Sequence, residues 1–117
     1  MLSERGRRAL LDMLQNATLA QDFVQGLTFE TFAADPRTLY AVTRCLEIIS
    51  EASRRIDAGT VKRHPGVPWR QMADAGNVYR HRYDNVSARL VWRTVHDRLP
   101  DVIAVCHAEL GTATPTQ

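Results

Sequence analysis

Asp35-Pro-Arg-Thr-Leu-Tyr-Ala-Val-Thr-Arg-Cys-Leu-Glu-Ile-Ile-Ser-Glu-Ala-Ser-Arg-Arg-Ile-Asp-Ala58 carries a seam at Leu39, Val42, Leu46, Ile49, Ser53 and Ile56. Steps of three and four residues keep those positions on one side of an α-helix. Asp35 and Pro36 supply its start, an aspartate cap followed by a ring that suits the first helical position. An earlier stretch repeats the same offsets position for position, at Leu10, Met13, Ala17, Ala20, Val24 and Leu27, with Ser3 as its cap and Glu4 in its first turn. Two helices with matching seams are what an antiparallel bundle needs.

Working outward, Gly26 and Gly59 mark the ends of these two helices, and Thr28 to Phe32 reads as one short turn placing two aromatics on the core. Thr60 to Pro68 reads as a loop. A third helix begins at Pro68, and a last one near Ser87 carries Val91, Val95, Leu99, Ile103, Cys106 and Leu110. Pro100 interrupts that last pattern, which predicts a kink or a restart. Gly111 ends it. No segment alternates with period two, so the expected fold is all-α, an antiparallel bundle of four to five helices over residues 1–111 with a loose tail at 112–117.

At 117 residues the chain holds one core and not two. Net charge is +2, from 15 basic against 13 acidic residues, too mild a balance to argue for nucleic acid by itself. Fourteen of the basic residues are arginine, the better bidentate phosphate ligand, although a GC-rich genome is the weightier explanation of such a bias. Cys45 and Cys106 are too few and too far apart for a metal or disulfide framework, and both sit in apolar helical patterns as expected of buried free thiols. No apolar run approaches the ~20 residues of a membrane span, and the first residues do not read as a signal peptide, so a cytoplasmic protein is expected.

The chemistry concentrates in Ala73-Asp74-Ala75-Gly76-Asn77-Val78-Tyr79-Arg80-His81-Arg82-Tyr83. Wound as a helix, Trp69, Met72, Gly76 and Tyr79 share the core side, while Arg70, Asp74, Asn77 and His81 share the opposite arc with Arg80 beside them. Asn77 and His81 stand at i, i+4 and can grip one ligand. Histidine moves protons near neutral pH and arginine holds phosphate, which points to phosphodiester chemistry or nucleotide handling. The blander alternatives are a solvated surface histidine, an Asp74–Arg70 surface pair and solvated charges at Arg80 and Arg82. On the Asp35–Ala58 helix, Arg44, Glu47, Glu51, Arg54 and Arg55 read as a solvated face with Glu51 and Arg55 paired.

Trp69-Arg70-Gln71-Met72, then Gly76-Asn77-Val78-Tyr79-Arg80-His81-Arg82-Tyr83, Val86 and Val91-Trp92 resemble HepT-type toxins of the HEPN superfamily. Upstream, Leu46-Glu47-Ile48-Ile49-Ser50-Glu51-Ala52 resembles that family's second long helix, so the similarity runs from about Glu4 to Leu110. The resemblance implies a homodimer whose two motif copies share one cleft, acting as a metal-independent endoribonuclease without a cofactor. It implies the toxin of a type VII-like toxin-antitoxin system, whose partner is a small nucleotidyltransferase antitoxin that silences it by adding AMP to the motif tyrosine. Carried across, His81 is the general acid/base, Asn77 its polar partner and Tyr83 the AMP acceptor, with Asp74, Glu47 and Glu51 as cleft-lining candidates. One departure stands out. The arginine that such motifs place just before the asparagine is Gly76 here, with Arg80 the nearest substitute, because Arg70 lies about 16 Å from His81 along the helix. The alternative reading is a non-catalytic HEPN subunit that docks a nucleotidyltransferase or binds nucleotide.

Overall fold

Ser3 opens the first helix as its sequence predicts, accepting a hydrogen bond at Oγ from the Gly6 N–H at 2.9 Å. In the computed structural model this helix, α1, spans Glu4–Val24, and α2 (Phe29–Ala33) follows as a short capped turn. The third, α3 (Pro36–Ser53), starts on Asp35, whose carboxylate takes the Thr38 N–H at 3.3 Å and the Thr38 hydroxyl at 2.6 Å. Beyond it come α4 (Ala58–Arg63), α5 (Trp69–His81), α6 (Asn85–Asp97) and α7 (Leu99–Leu110). The structure describes the backbone of residues 1–81 and 85–112 and the side chains of residues 1–78 and 88–112. No strand occurs among the described residues. The fold is all-α, with five helices of twelve or more residues and two short ones among the described residues.

The seams meet as their periodicity requires. Leu10, Met13, Ala17, Ala20 and Val24 of α1, Val42, Leu46 and Ile49 of α3, and Val91, Val95, Leu99 and Cys106 of α6 and α7 form one buried cluster with Phe32. Ser53 takes its place on that seam because its hydroxyl donates to the Ser50 carbonyl at 2.6 Å, leaving no polar group unsatisfied there. Antiparallel order shows in the cross-links: Ser3 at the start of α1 meets Asp57 just beyond α3, and α3 runs against α5 with Arg54 at Ala73 and Ser50 at Gly76. Both cysteines are buried and free, and burial pushes the Cys106 thiol up to about 12, so it stays protonated.

Two boundaries differ from the sequence expectation. The second long helix stops at Ser53 instead of running to Ala58, and α4 replaces the start of the loop expected from Thr60, with Gly59 inside it. The cause is tertiary. Asp57 takes an extended backbone so that its carboxylate accepts the Ser3 N–H at 2.8 Å and the Ser3 hydroxyl at 2.6 Å. Gly6 permits this approach, since a β-carbon there would lie 2.5 Å from the Asp57 carboxylate. At the other end of the bundle, Pro100 restarts the helix at the head of α7, and Gly111 closes it with φ +71°.

The α4 turn is also what fixes α7. Glu109, only 8% exposed, accepts two hydrogen bonds from the Arg63 guanidinium, at 2.6 and 3.0 Å, and stands 2.7 Å from His64 Nε2. Trp69 adds its indole N–H to the His64 carbonyl at 2.9 Å. Arg63, and then His64, hold the Glu109 carboxyl down to about 2 against the opposing effect of burial. A carboxylate depressed in the folded state contributes stability above its unfolded value of about 4.5, lost as pH falls towards 2. Urea unfolding from pH 6 to pH 2 should therefore show a loss that Glu109→Gln removes in part, by about 1–2 kcal/mol, because the half-exposed Arg63 is screened by water. Asp35 and Asp57 are held low as well, so the difference between the two proteins, not the acid limb alone, is the measurement.

Candidate active site

Along α5, the structure turns Arg70, Asp74 and Asn77 outward and buries Gly76, as the helical wheel requires. Met72, Ala75 and Trp69 lie against the core. Asp74 and Arg70 form no ion pair among the described residues, so the surface pair expected between them is not part of the fold. His81 is the last residue of α5. The side chains of Arg80 and His81 lie outside the described residues, as do Arg82 and Tyr83.

What the structure does build is a groove at the motif's first residue, Gly76. Helices α3 and α5 enclose a groove of about 470 Å³, lined by Arg44, Glu47, Glu51, Arg54 and Arg55 on one side and floored by Ser50 and Gly76. The two helices touch there through a shared hydroxyl: the Gly76 N–H donates to Ser50 Oγ at 3.0 Å, and Ser50 Oγ donates to the Ala73 carbonyl at 3.0 Å. Glu47 and Glu51 therefore lie in one groove with the motif's glycine, as well as pairing along their own helix. Arg44 stands 3.7 Å from Glu47, and Arg55 Nε stands 3.2 Å from Glu51, the pair expected from the sequence. That Arg55 nitrogen is close to Glu51 without being aligned for a hydrogen bond. Its Nη2 also reaches Asp12 of α1 at 3.4 Å.

Of the groove residues, the helical wheel singles out neither Ser50 nor Ile48, and it reads Arg54 only as part of a solvated face. Arg54 belongs to a face of alternating charge, and Ser50 is merely the residue after Ile49. The one signal available beforehand is that Ser50 borders the seam and Gly76 falls on the core side of its own helix, a small residue offered to each partner. Among the described residues no group of three or more histidines, cysteines or carboxylates gathers as metal ligands would. None of the described helices is long and apolar enough to cross a membrane.

Residues 13–108 match the protein family described as "HepT-like: Ribonuclease HepT-like". Among curated proteins, "Probable ribonuclease HepT" of Thermococcus cleftensis is 38% identical over 93 residues, covering 80% of this chain and 84% of that protein. Two proteins of Methanocaldococcus jannaschii are each 33% identical. "Putative RNase MJ1380" aligns over 86% of this chain and 94% of its own length, and "Putative RNase MJ0127" over 83% and 80%. No solved structure matches the chain.

Proposed function

The chain belongs to the HepT-like ribonuclease family, and from that membership we propose that it cleaves RNA as the toxin of a toxin-antitoxin pair. The observation that carries this reading is that the family match spans the whole motif from Gly76 to Tyr83 together with the residues that share a groove with Gly76. In the reaction, the 2′-OH of a ribose attacks the adjacent phosphorus and the bond to the 5′-oxygen breaks, leaving a 2′,3′-cyclic phosphate and a free 5′-OH. A base takes the 2′ proton and an acid returns one to the departing oxygen, the exchange for which an imidazole is suited. His81 is that group, assisted by Asn77 one turn before it and by the charge of Arg80 beside it. A homodimer supplies the second His81, so that one copy is the base while the other is the acid. No cofactor is required for this sequence of proton transfers.

Asp74, Glu47 and Glu51 line the approach to the site, where their negative charge limits how RNA enters. Silencing works on Tyr83, in a cytoplasmic setting where the antitoxin meets its toxin. Its phenolic oxygen attacks the α-phosphorus of ATP, held by a nucleotidyltransferase antitoxin, and pyrophosphate departs. A bulky, anionic nucleotide two residues from His81 then repels the RNA backbone. Incubation with the antitoxin and ATP should add one AMP mass to the chain, localised to Tyr83 by tandem mass spectrometry and absent from Tyr83→Phe. RNA cleavage by the modified chain should fall to background, and cleavage by the unmodified chain should persist in a chelator. Modification at another residue, or undiminished cleavage after modification, refutes this assignment.

A further inference from the structure

We propose that Arg54, from the neighbouring helix, is the cation that holds the RNA phosphate where the motif itself carries glycine at position 76. The inference rests on the ribonuclease reading above and adds to it a group at the C-terminal cap of α3. The first observation is one of charge. Arg44 is matched by Glu47, and Arg55 by Glu51 and Asp12, whereas Arg54 has no carboxylate partner among the described residues. The second is one of fixation. Arg54 donates through Nε at 3.2 Å and Nη2 at 2.8 Å to a single acceptor, the Ala73 carbonyl of α5, which also receives the Ser50 hydroxyl. A neutral carbonyl positions a guanidinium without cancelling its charge, and the donors it leaves unused suit a phosphate oxygen.

Placement is the third observation. Ala73, Asn77 and His81 occupy helix positions i, i+4 and i+8, a single ridge on α5, and a helix carbonyl points along the axis towards the residue four ahead. The guanidinium at the Ala73 carbonyl is therefore set at the start of the ridge that continues through the positions of Asn77 and His81. Gly76 lies buried at the floor of the same groove. Arg54 reaches this point from the C-terminal cap of α3. The occupant recognised is a phosphodiester of single-stranded RNA.

The experiment pairs binding with cleavage in Arg54→Gln, Arg54→Lys and a control on the exposed α1 surface, Arg7→Gln. Binding of a labelled, uncleavable 2′-O-methyl oligoribonucleotide is followed by fluorescence anisotropy over a range of salt. Loss of one phosphate contact should lower the slope of log affinity against log salt by about 0.7 in Arg54→Gln, with the slope restored in Arg54→Lys and unchanged in Arg7→Gln. Cleavage of the unmodified oligonucleotide should fall about 10²–10³-fold in Arg54→Gln, the size of losing one charge-stabilising donor. A structural tie to Ala73 alone would lower the melting temperature and leave the salt slope untouched, and that result overturns the proposal. So does an equal change in Arg7→Gln. Wild-type protein that binds with the Arg54-dependent slope but never cleaves overturns the ribonuclease reading and leaves the phosphate site standing.

Discussion

His81→Ala is expected to reduce RNA cleavage about 10²–10⁴-fold while leaving the melting temperature and oligonucleotide affinity near those of the parent. The other three histidines each have structural employment. His64 stands 2.7 Å from Glu109, the His96 ring lies 4.2 Å from Trp92 with Nδ1 at the Trp92 carbonyl, and His107 Nδ1 meets the Thr112 hydroxyl at 2.7 Å. His96→Ala and His107→Ala therefore serve as controls with undiminished cleavage. Added imidazole should restore part of the rate to His81→Ala if a proton-transfer group has been lost, and not if a packing contact has. Single-turnover cleavage of a labelled RNA reads both. A His81→Ala protein as active as its parent removes the acid/base role and, with it, the ribonuclease mechanism given above.

The bundle was legible in the sequence because burial has a period. The seams of α1 and α3 share their offsets, and every one of their helical seam positions from Leu10 to Val24 and from Val42 to Ser53 is buried. What the pattern does not carry is where a helix yields to a distant contact. Ile56 continues the α3 seam, yet the helix has ended at Ser53, because Asp57 is drawn to the start of α1 across more than fifty residues of chain. Nothing local encodes that pair. The same limit applies at the site. The polar arc of α5 follows from spacing alone, and Arg70, Asp74 and Asn77 are exposed as it requires. Arg54 looks like any other solvated arginine on α3 until α5 is laid beside it and Ala73 becomes its acceptor. A helical wheel reports which side of one helix faces water; it contains no information on which neighbour's carbonyl waits there.

Phe32→Ala should cost about 3–5 kcal/mol of folding free energy, the usual loss for a wholly buried phenylalanine and the cavity it leaves. The side chain is 0% exposed, and its ring lies 5.2 Å from that of Trp92, which also meets Phe29 at 6.1 Å in an edge-on arrangement. Arg89 caps the group, its guanidinium carbon 4.4 Å from the centre of the Phe29 ring. Through these rings the short α2 turn is joined to α6, the helix that directly follows the His81–Tyr83 segment. That loss is comparable to the lower end of the whole stability of a small domain, about 5–15 kcal/mol. Urea unfolding should move accordingly, and in the same experiment Phe23→Ala, at a 42% exposed position of α1, should shift stability by no more than about 0.5 kcal/mol. Loss of α6 packing would displace the motif's end without touching its chemistry, so cleavage by Phe32→Ala should fall with the unfolded fraction and recover on cooling. A variant that is fully folded but inactive would instead place the Phe32–Trp92 contact in the positioning of the site, and a variant as stable as the parent would show that α2 is dispensable to the core.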